Sequence, residues 1–252
     1  MNDSEKEFLA NYDKNKYEKP SVTTDIIVLT TDKNYTVLKV LLVKRKNHPF
    51  KDAWAIPGGF VDIEENLEDA ARRELKEETG VETPFIEQLY TFGSVNRDPR
   101  MRVISVAYMS LIPNYLLSNA VAGDDASEAE WFNIKVINRE LETYVLENDN
   151  THEIININSL AFDHSDVLKM ALNRIKNKVE YTDIAFNLLP DNFTLFQIQK
   201  VYELLLQRQV VKQNFRRDIK KMLLENEGIK IDGIGPSAQS YRLNRTQKTQ
   251  RY

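Results

Sequence analysis

The feature that most restricts this chain is the stretch Gly59–Val81, GFVDIEENLEDAARRELKEETGV. It predicts a helix opened by Glu65 or Asn66, running to about Thr79 and closed by Gly80, a residue suited to the left-handed turn that ends helices. With Leu67 at zero and 100° per residue, Leu67, Ala70, Ala71 and Leu75 fill an arc from about 300° to about 80°. Glu74 falls near 340° and Glu78 near 20°, inside that apolar stripe, while Glu77 lies near 280°.

Most charge runs form a solvated face, where a like-charged pair costs only about 0.2–0.5 kcal/mol. Glu74 and Glu78 do not suit that reading, because their stripe faces the protein body. Two part-buried carboxylates ~6 Å apart repel by roughly 3 kcal/mol at an effective dielectric of ~20. One member must then take a proton, or the group must hold a cation. Hard carboxylate oxygens suit Mg²⁺ or Mn²⁺, and Mg²⁺ is commonly held by few carboxylates together with substrate phosphates.

The segments around this helix are strand-like. SVTTDIIVLTTD (Ser21–Asp32) and YTVLKVLLVKRK (Tyr35–Lys46) are β-branched and apolar, joined by a short turn. WAIPGGFVD is a short strand interrupted by Pro57, Gly58 and Gly59, and adjacent glycines permit close backbone approach to a ligand. FIEQLYTFGSV, MRVISVAYMSLIP and AEWFNI read as further strands. The expected domain limits are an N-terminal extension at 1–20, a strand-rich domain at 21–164, a connecting helix at 165–180, a second domain at 181–245 and a polar tail at 246–252.

The connecting helix carries Val167, Leu168, Ala171, Leu172 and Ile175 at helical spacing. TLFQIQKVYELLLQRQ follows, with Thr194 as its N-cap. NFRRDIKKMLLENEG predicts another helix, capped by Asn214 and ended by Gly228. In it Phe215, Ile219, Met222 and Leu223 share one face, opposite Arg216, Arg217, Lys220 and Lys221. Two strands around a Gly/Pro/Ser loop come next. Helix, turn, cationic helix and β-wing is the order a winged helix-turn-helix needs, with one helix in the major groove of double-stranded DNA. A solvated helix on an appended or dimerisation domain is the plainer alternative.

Charge follows this division. Residues 181–252 hold twelve Lys and Arg against seven Asp and Glu, and residues 1–180 hold twenty-two against thirty-one, within a net charge of −4. The chain has no cysteine, which excludes disulfides and thiolate metal sites. MNDSEKEFLANYDKNKYEKP has no apolar core and no run approaches the ~18 residues of a membrane helix, so a cytoplasmic protein without a membrane partner is expected.

The stretch from Gly59 resembles the Nudix box, G-x5-E-x7-R-E-U-x-E-E-x-G-U, where U is bulky and aliphatic. Gly59, Glu65, Arg73–Glu74, Leu75, Glu77–Glu78 and Gly80–Val81 match every defined position. The resemblance implies an α+β Nudix fold, a mixed β-sheet sandwiched by helices, and hydrolysis of a nucleoside diphosphate joined to another group. It implies metal ligation by Glu74, Glu77 and Glu78, backbone from Gly59 near the metal, and an orienting Glu65–Arg73 ion pair. A general base outside the box is expected in GDDASEAEWF, which offers Asp124, Asp125, Glu128 and Glu130, with Glu128 ranked first; a solvated loop is the alternative. FGSVNRDPRMRVISVAYMSL resembles a segment of ADP-ribose hydrolases, and Arg97, Arg100 and Arg102 are the candidate cations for diphosphate or terminal ribose, unless they form only a charged hairpin rim. Trp54 is a core residue or a base-stacking one. His48, His152 and His164 are scattered and receive no catalytic role.

YTDIAFNLLPDNFTLFQIQKVYELLLQRQVVKQNFRRDI resembles the C-terminal domain of Nudix-related transcriptional regulators, with FNLLP before the first helix and NFRR opening the recognition helix. The wing, GIGPSAQSYRLN, departs from the usual Gly-Arg-Pro-like loop. The two resemblances imply an Mg²⁺- or Mn²⁺-dependent hydrolase of ADP-ribose or a similar compound, fused to a winged helix that binds DNA as a homodimer. Asn214, Arg216, Arg217, Lys220 and Lys221 are its expected DNA contacts. The alternative is a regulator of NAD or sugar metabolism that uses the Nudix pocket as a sensor.

Overall fold

The β-branched runs of the first half form nine strands: β1 (Ser21–Thr31), β2 (Leu38–Arg45), β3 (Trp54–Ala55), β4 (Gly58–Phe60), β5 (Glu87–Phe92), β6 (Val103–Leu111), β7 (Ala126–Asn138), β8 (Thr143–Asn148) and β9 (Ile154–Asn156). The computed structural model describes residues 2–117, 126–233 and 235–245. One mixed sheet runs β5-β6-β1-β2-β7-β8-β9, with β3 paired to β2 and β4 to β1. Only the β1–β6 pair is parallel among the described strands. β8 and β9 were not anticipated, although Tyr144 and Leu146 of β8 alternate with half-buried neighbours in the period-two pattern of a strand.

Helix α1 (Asp3–Asn11) precedes the sheet and buries nothing. Helix α2 (Leu67–Thr79) covers one face of the sheet and α3 (His164–Lys178) the other. Successive β1 residues point to opposite faces, so Ile26 and Val28 pack with Ala71 and Leu75 of α2. Ile27 and Leu29 pack in the cluster that includes Leu168, Leu172 and Ile175 of α3. With both faces covered, nine consecutive residues of β1 are buried. Gly80 closes α2 in the left-handed conformation (φ 68°), its N–H donating to the Lys76 carbonyl at 2.9 Å.

The second half continues from α3. A 3₁₀ turn at Ile184–Leu188 buries Phe186 and Leu188. Helix α4 (Leu195–Leu206) begins with a full capping box, in which the Thr194 hydroxyl receives the Gln197 N–H and the Gln197 side chain receives the Thr194 N–H. Helix α5 (Lys212–Ile219), a 3₁₀ turn at Lys220–Met222 and the antiparallel pair β10 (Leu223–Gly233) and β11 (Gly235–Leu243) complete a winged helix. Phe193 and Tyr241 exchange backbone hydrogen bonds of 2.9 and 2.8 Å, fastening the base of the wing beneath α4.

This corrects the expected helix over Asn214–Gly228. Asn214 lies inside α5, which starts at Lys212 after Val211, and the α-helix ends at Ile219. Leu223, Leu224 and Glu225 pair instead with Leu243, Arg242 and Tyr241. Good helix formers in LLENE are overridden by this non-local ladder. Gly228 does take a positive φ of 72°, but within the bulge where the register shifts between Glu225 and Lys230.

One apolar cluster runs unbroken from Leu42, Met109 and Phe132 of the sheet through α3 to Ile198, Tyr202 and Ile219 of the winged helix. Among the described residues no helix is long and apolar enough to cross a membrane.

Candidate functional site

The inward placement of Glu74 and Glu78 holds in the structure. The Glu74 side chain is 15% exposed, against 57% for Glu77. The two glycines before α2 are there for close approach. At Gly58 (φ 157°) a Cβ would stand 2.2 Å from the Thr24 carbonyl oxygen. At Gly59 a Cβ would stand 2.4 Å from the Glu74 carboxylate. The backbone of β4 therefore lies directly on the acidic face of α2, and the Gly58 N–H donates to Glu78 Oε2 at 2.9 Å.

Arg73 binds this face together. It donates to both Glu65 oxygens at 2.8 Å, to Glu74 Oε1 at 2.7 Å, to Glu77 Oε2 at 3.1 Å and to the Phe60 carbonyl at 3.2 Å. Its hydrogen bonds hold the Glu65 carboxyl below its usual range, and Glu65 in turn raises Arg73. Burial lifts Glu74 despite the Arg73 guanidinium. Burial also pushes Glu78 up to about 8, with Glu74 and Asp25 adding to the rise.

Glu78 opens into a cleft of about 200 Å³ beside Asp25, Arg45, Gly59, Arg97, Arg100, Phe162 and His164. The three arginines expected at the substrate fare differently. Arg97 lines the cleft, but its buried guanidinium is engaged twice by Asp163 (2.9 and 2.7 Å) and once by Asp25 (3.3 Å). Arg100 also lines it, in a two-point pair with Asp98 (3.0 and 2.8 Å) and over the rings of Phe60 and Phe162 at 5.5 and 5.9 Å. Arg102 donates to the Ser94 carbonyl at 2.9 Å and is not part of the cleft wall. Trp54 is buried edge-on against Phe132 at 4.8 Å, a core residue.

Two domain models match in succession. The NUDIX domain matches residues 19–152, more than half of the chain, and the NrtR DNA-binding winged helix domain matches residues 185–243. The chain belongs to the Nudix family. This Nudix protein is 36% identical to the ADPR responsive transcriptional repressor NtrR of Acinetobacter baylyi, over 95% of this chain and 88% of the other. It is 37% identical to the ADP-ribose pyrophosphatase of Methanocaldococcus jannaschii, over 61% of this chain and 73% of that one. The crystal structure of Shewanella oneidensis NrtR complexed with a 27mer DNA superposes with a TM-score of 0.69 at 31% identity, covering 88% of this chain and 93% of that chain. The NUDIX domain of that NrtR, solved with ADP ribose, superposes with a TM-score of 0.51 at 34% identity, covering 69% and 99%.

The Nudix family implies a divalent cation, and the donor chemistry here suits one. Glu74, Glu77 and Glu78 offer hard oxygens, and Glu78 forms no salt bridge among the described residues. No three acidic or histidine groups already converge on one point among the described residues. Arg73 supplies part of the compensating charge at Glu74 and Glu77 instead. Glu128, on β7, pairs with Lys44 of the cleft rim at 3.2 Å and stands outside the lining, while Glu130 is bonded to Asn150. Asp124 and Asp125 lie outside the described residues.

Sequence reasoning passed over Asp25, Arg45 and Phe162, and named His164 only to give it no catalytic role. Buried His164 accepts the Ile56 N–H at Nδ1 (2.9 Å), and burial lowers its pKa, so it is a neutral wall residue with its proton on Nε2, 3.7 Å from Asp25. The box gave no sign of these residues, because they come from strands, a turn and the first residue of α3, all distant from it in sequence.

On the winged helix, Arg216 and Arg217 lie in the last turn of α5, and Lys220 and Lys221 in the 3₁₀ turn after it. Arg217 and Lys221 share Asp218 at 3.2 and 3.1 Å, and Lys220 stands over the Tyr241 ring at 5.8 Å. Arg216 is half-buried and its Nε has no hydrogen-bond partner among the described residues.

Proposed function

We propose that this chain is a transcriptional regulator that reads ADP-ribose, or a closely related nucleoside diphosphate derivative, in the Nudix cleft and answers through its winged helix. The observation that carries this reading is α3. Its first residue, His164, lines the cleft, the preceding Asp163 holds the lining residue Arg97, and its apolar side shares a core with α4 and α5. Ligand contacts that favour one placement of α3 thereby favour one placement of the DNA-binding helices. The relatives support it: one is an ADPR responsive repressor similar over both domains, and another is known with DNA and, in its Nudix domain, with ADP ribose. The working form is a homodimer on DNA in the cytoplasm, with Asn214, Arg216, Arg217, Lys220 and Lys221 facing the duplex.

The test is an electrophoretic shift with the protein's own promoter DNA. The complex should weaken steeply with salt, disappear in the Arg216→Ala/Arg217→Ala variant and be released by ADP-ribose. No DNA affinity at low salt sinks the reading.

A second reading, retained hydrolysis, is favoured by the intact box and by the uncompensated Glu78 beside Gly58. Glu74, Glu77 and Glu78 would hold Mg²⁺ or Mn²⁺, which when bound polarises a diphosphate and activates water. Arg73 fixes the directions of Glu65, Glu74 and Glu77, and Gly59 leaves room for Glu74. Glu128, paired with Lys44 of the cleft rim, is the candidate general base. ADP-ribose with Mg²⁺ should yield AMP and ribose 5-phosphate, and Glu78→Gln should abolish this. Absence of turnover on every nucleoside diphosphate tried removes this second reading and leaves the first standing.

A further inference from the structure

We infer that Arg45, a residue outside the Nudix box and outside the arginine-rich loop, is the cation of the cleft that receives the ligand's diphosphate. The inference deepens the proposed reading of the cleft and rests on it for the identity of the ligand.

Three arginines line the cleft, and their charges are not equally available. Arg97 is matched by two carboxylates and Arg100 by a two-point pair with Asp98. Arg45 has no carboxylate within 4.0 Å among the described residues. It is half-buried, at the end of β2, and burial together with the like charge of Arg100 pulls its pKa below the ordinary range, against the opposing pull of Glu78 and Asp98. An arginine in this setting stays charged, so its desolvation is left for an incoming anion to offset.

The side chain is also aimed. Its Nε donates to the Pro49 carbonyl at 2.9 Å. The loop that carries Pro49 is folded back by the Asp52 N–H on the Arg45 carbonyl (2.9 Å) and the Arg45 N–H on the Ala53 carbonyl (3.0 Å). The guanidinium lies over the Phe162 ring, 4.7 Å from its centroid, and Phe50 backs that ring at 4.8 Å. Phe162 holds this position with a φ of 53°, a region bulky residues rarely adopt. One nitrogen and one face of the guanidinium are thus occupied, while the terminal nitrogens form no hydrogen bond among the described residues. A planar two-nitrogen edge turned into a cleft matches a phosphate. Glu78 lines the same cleft and forms no salt bridge among the described residues, so a cation-complexed diphosphate would engage both side chains.

The test uses the full chain with Mg²⁺ and inorganic pyrophosphate, read as a shift in Tm, and ADP-ribose, read as a Kd by calorimetry. Wild type should be stabilised by pyrophosphate. Arg45→Gln should lose that shift and weaken ADP-ribose binding roughly tenfold or more, while Arg45→Lys should keep only part of both, because it retains the charge and loses the two-nitrogen edge. The ligand-free Tm of Arg45→Gln should stay within about 2 °C of wild type or rise, because no ion pair among the described residues is broken. Equal pyrophosphate shifts in wild type and Arg45→Gln overturn the inference. So does an Arg45→Gln chain that fails to fold, since the charge would then serve the fold. So does a wild type that pyrophosphate leaves unchanged. A wild type that responds to pyrophosphate through Arg45 but does not bind ADP-ribose overturns the proposed ligand alone.

Discussion

Arg97→Met tests whether a cleft arginine serves the fold or the ligand. Methionine keeps much of the length and removes the charge. Arg97 is only 5% exposed in its side chain, and its partners Asp25 and Asp163 are 8% and 18% exposed. The substitution strands two carboxylates out of water. Removing one partner from a buried pair costs about 3–5 kcal/mol, most of it the penalty on the charge left behind. In a chain of this size each kcal/mol moves Tm by roughly 2–4 °C, so the melting point should fall by about 6–20 °C. Circular dichroism melts and urea titration both read this. The double variant Arg97→Met/Asp163→Asn should recover at least ~1 kcal/mol, because one stranded charge is gone. An Arg97→Met protein within ~1 kcal/mol of wild type, with its ADP-ribose affinity gone, refutes the reasoning and makes Arg97 a ligand cation.

Three further perturbations read other parts of the site and fold. Gly59→Ala drives a methyl into the Glu74 carboxylate, so the rise in Tm with Mg²⁺ should shrink or vanish; an unchanged metal titration counts against the close approach at β4. Glu78 moves from an ordinary 4.5 to about 8 on folding, so its contribution is complete below about pH 4.5 and fades as pH climbs to about 8. Metal-free Glu78→Gln should therefore melt near wild type at about pH 5 and above it at about pH 8.5, and the reverse order contradicts the assignment. Thr194→Ala removes half of a capping box at the start of α4 and should cost about 0.5–2 kcal/mol in urea unfolding; no loss means the cap is redundant.

Local patterns carried a good part of this structure. The stripe that places Glu74 and Glu78 inward, the glycine that ends α2 and the threonine that opens α4 are each encoded within one turn of helix. The cleft was less legible. Arg97 reads in sequence as a free cation, because its partners Asp25 and Asp163 lie 72 and 66 residues away. Arg45 reads as an ordinary strand end, since only the fold shows that no carboxylate of the described residues comes within 4.0 Å of it. The first strand of the wing shows why propensity alone misplaced the end of α5: LLENE favours helix locally, and only Leu243, Arg242 and Tyr241 across the ladder make it extended.

The two rims of the large sheet are unlike. β9 is three residues long, and β5 is interrupted by a register shift between Gln88 and Tyr90, with Lys178 of α3 reaching across to Glu87. Short or bulged borders offer poor templates for strand addition. The sheet is therefore guarded against runaway polymerisation, and a second copy of this chain should join through side-chain surfaces, not by extending the sheet.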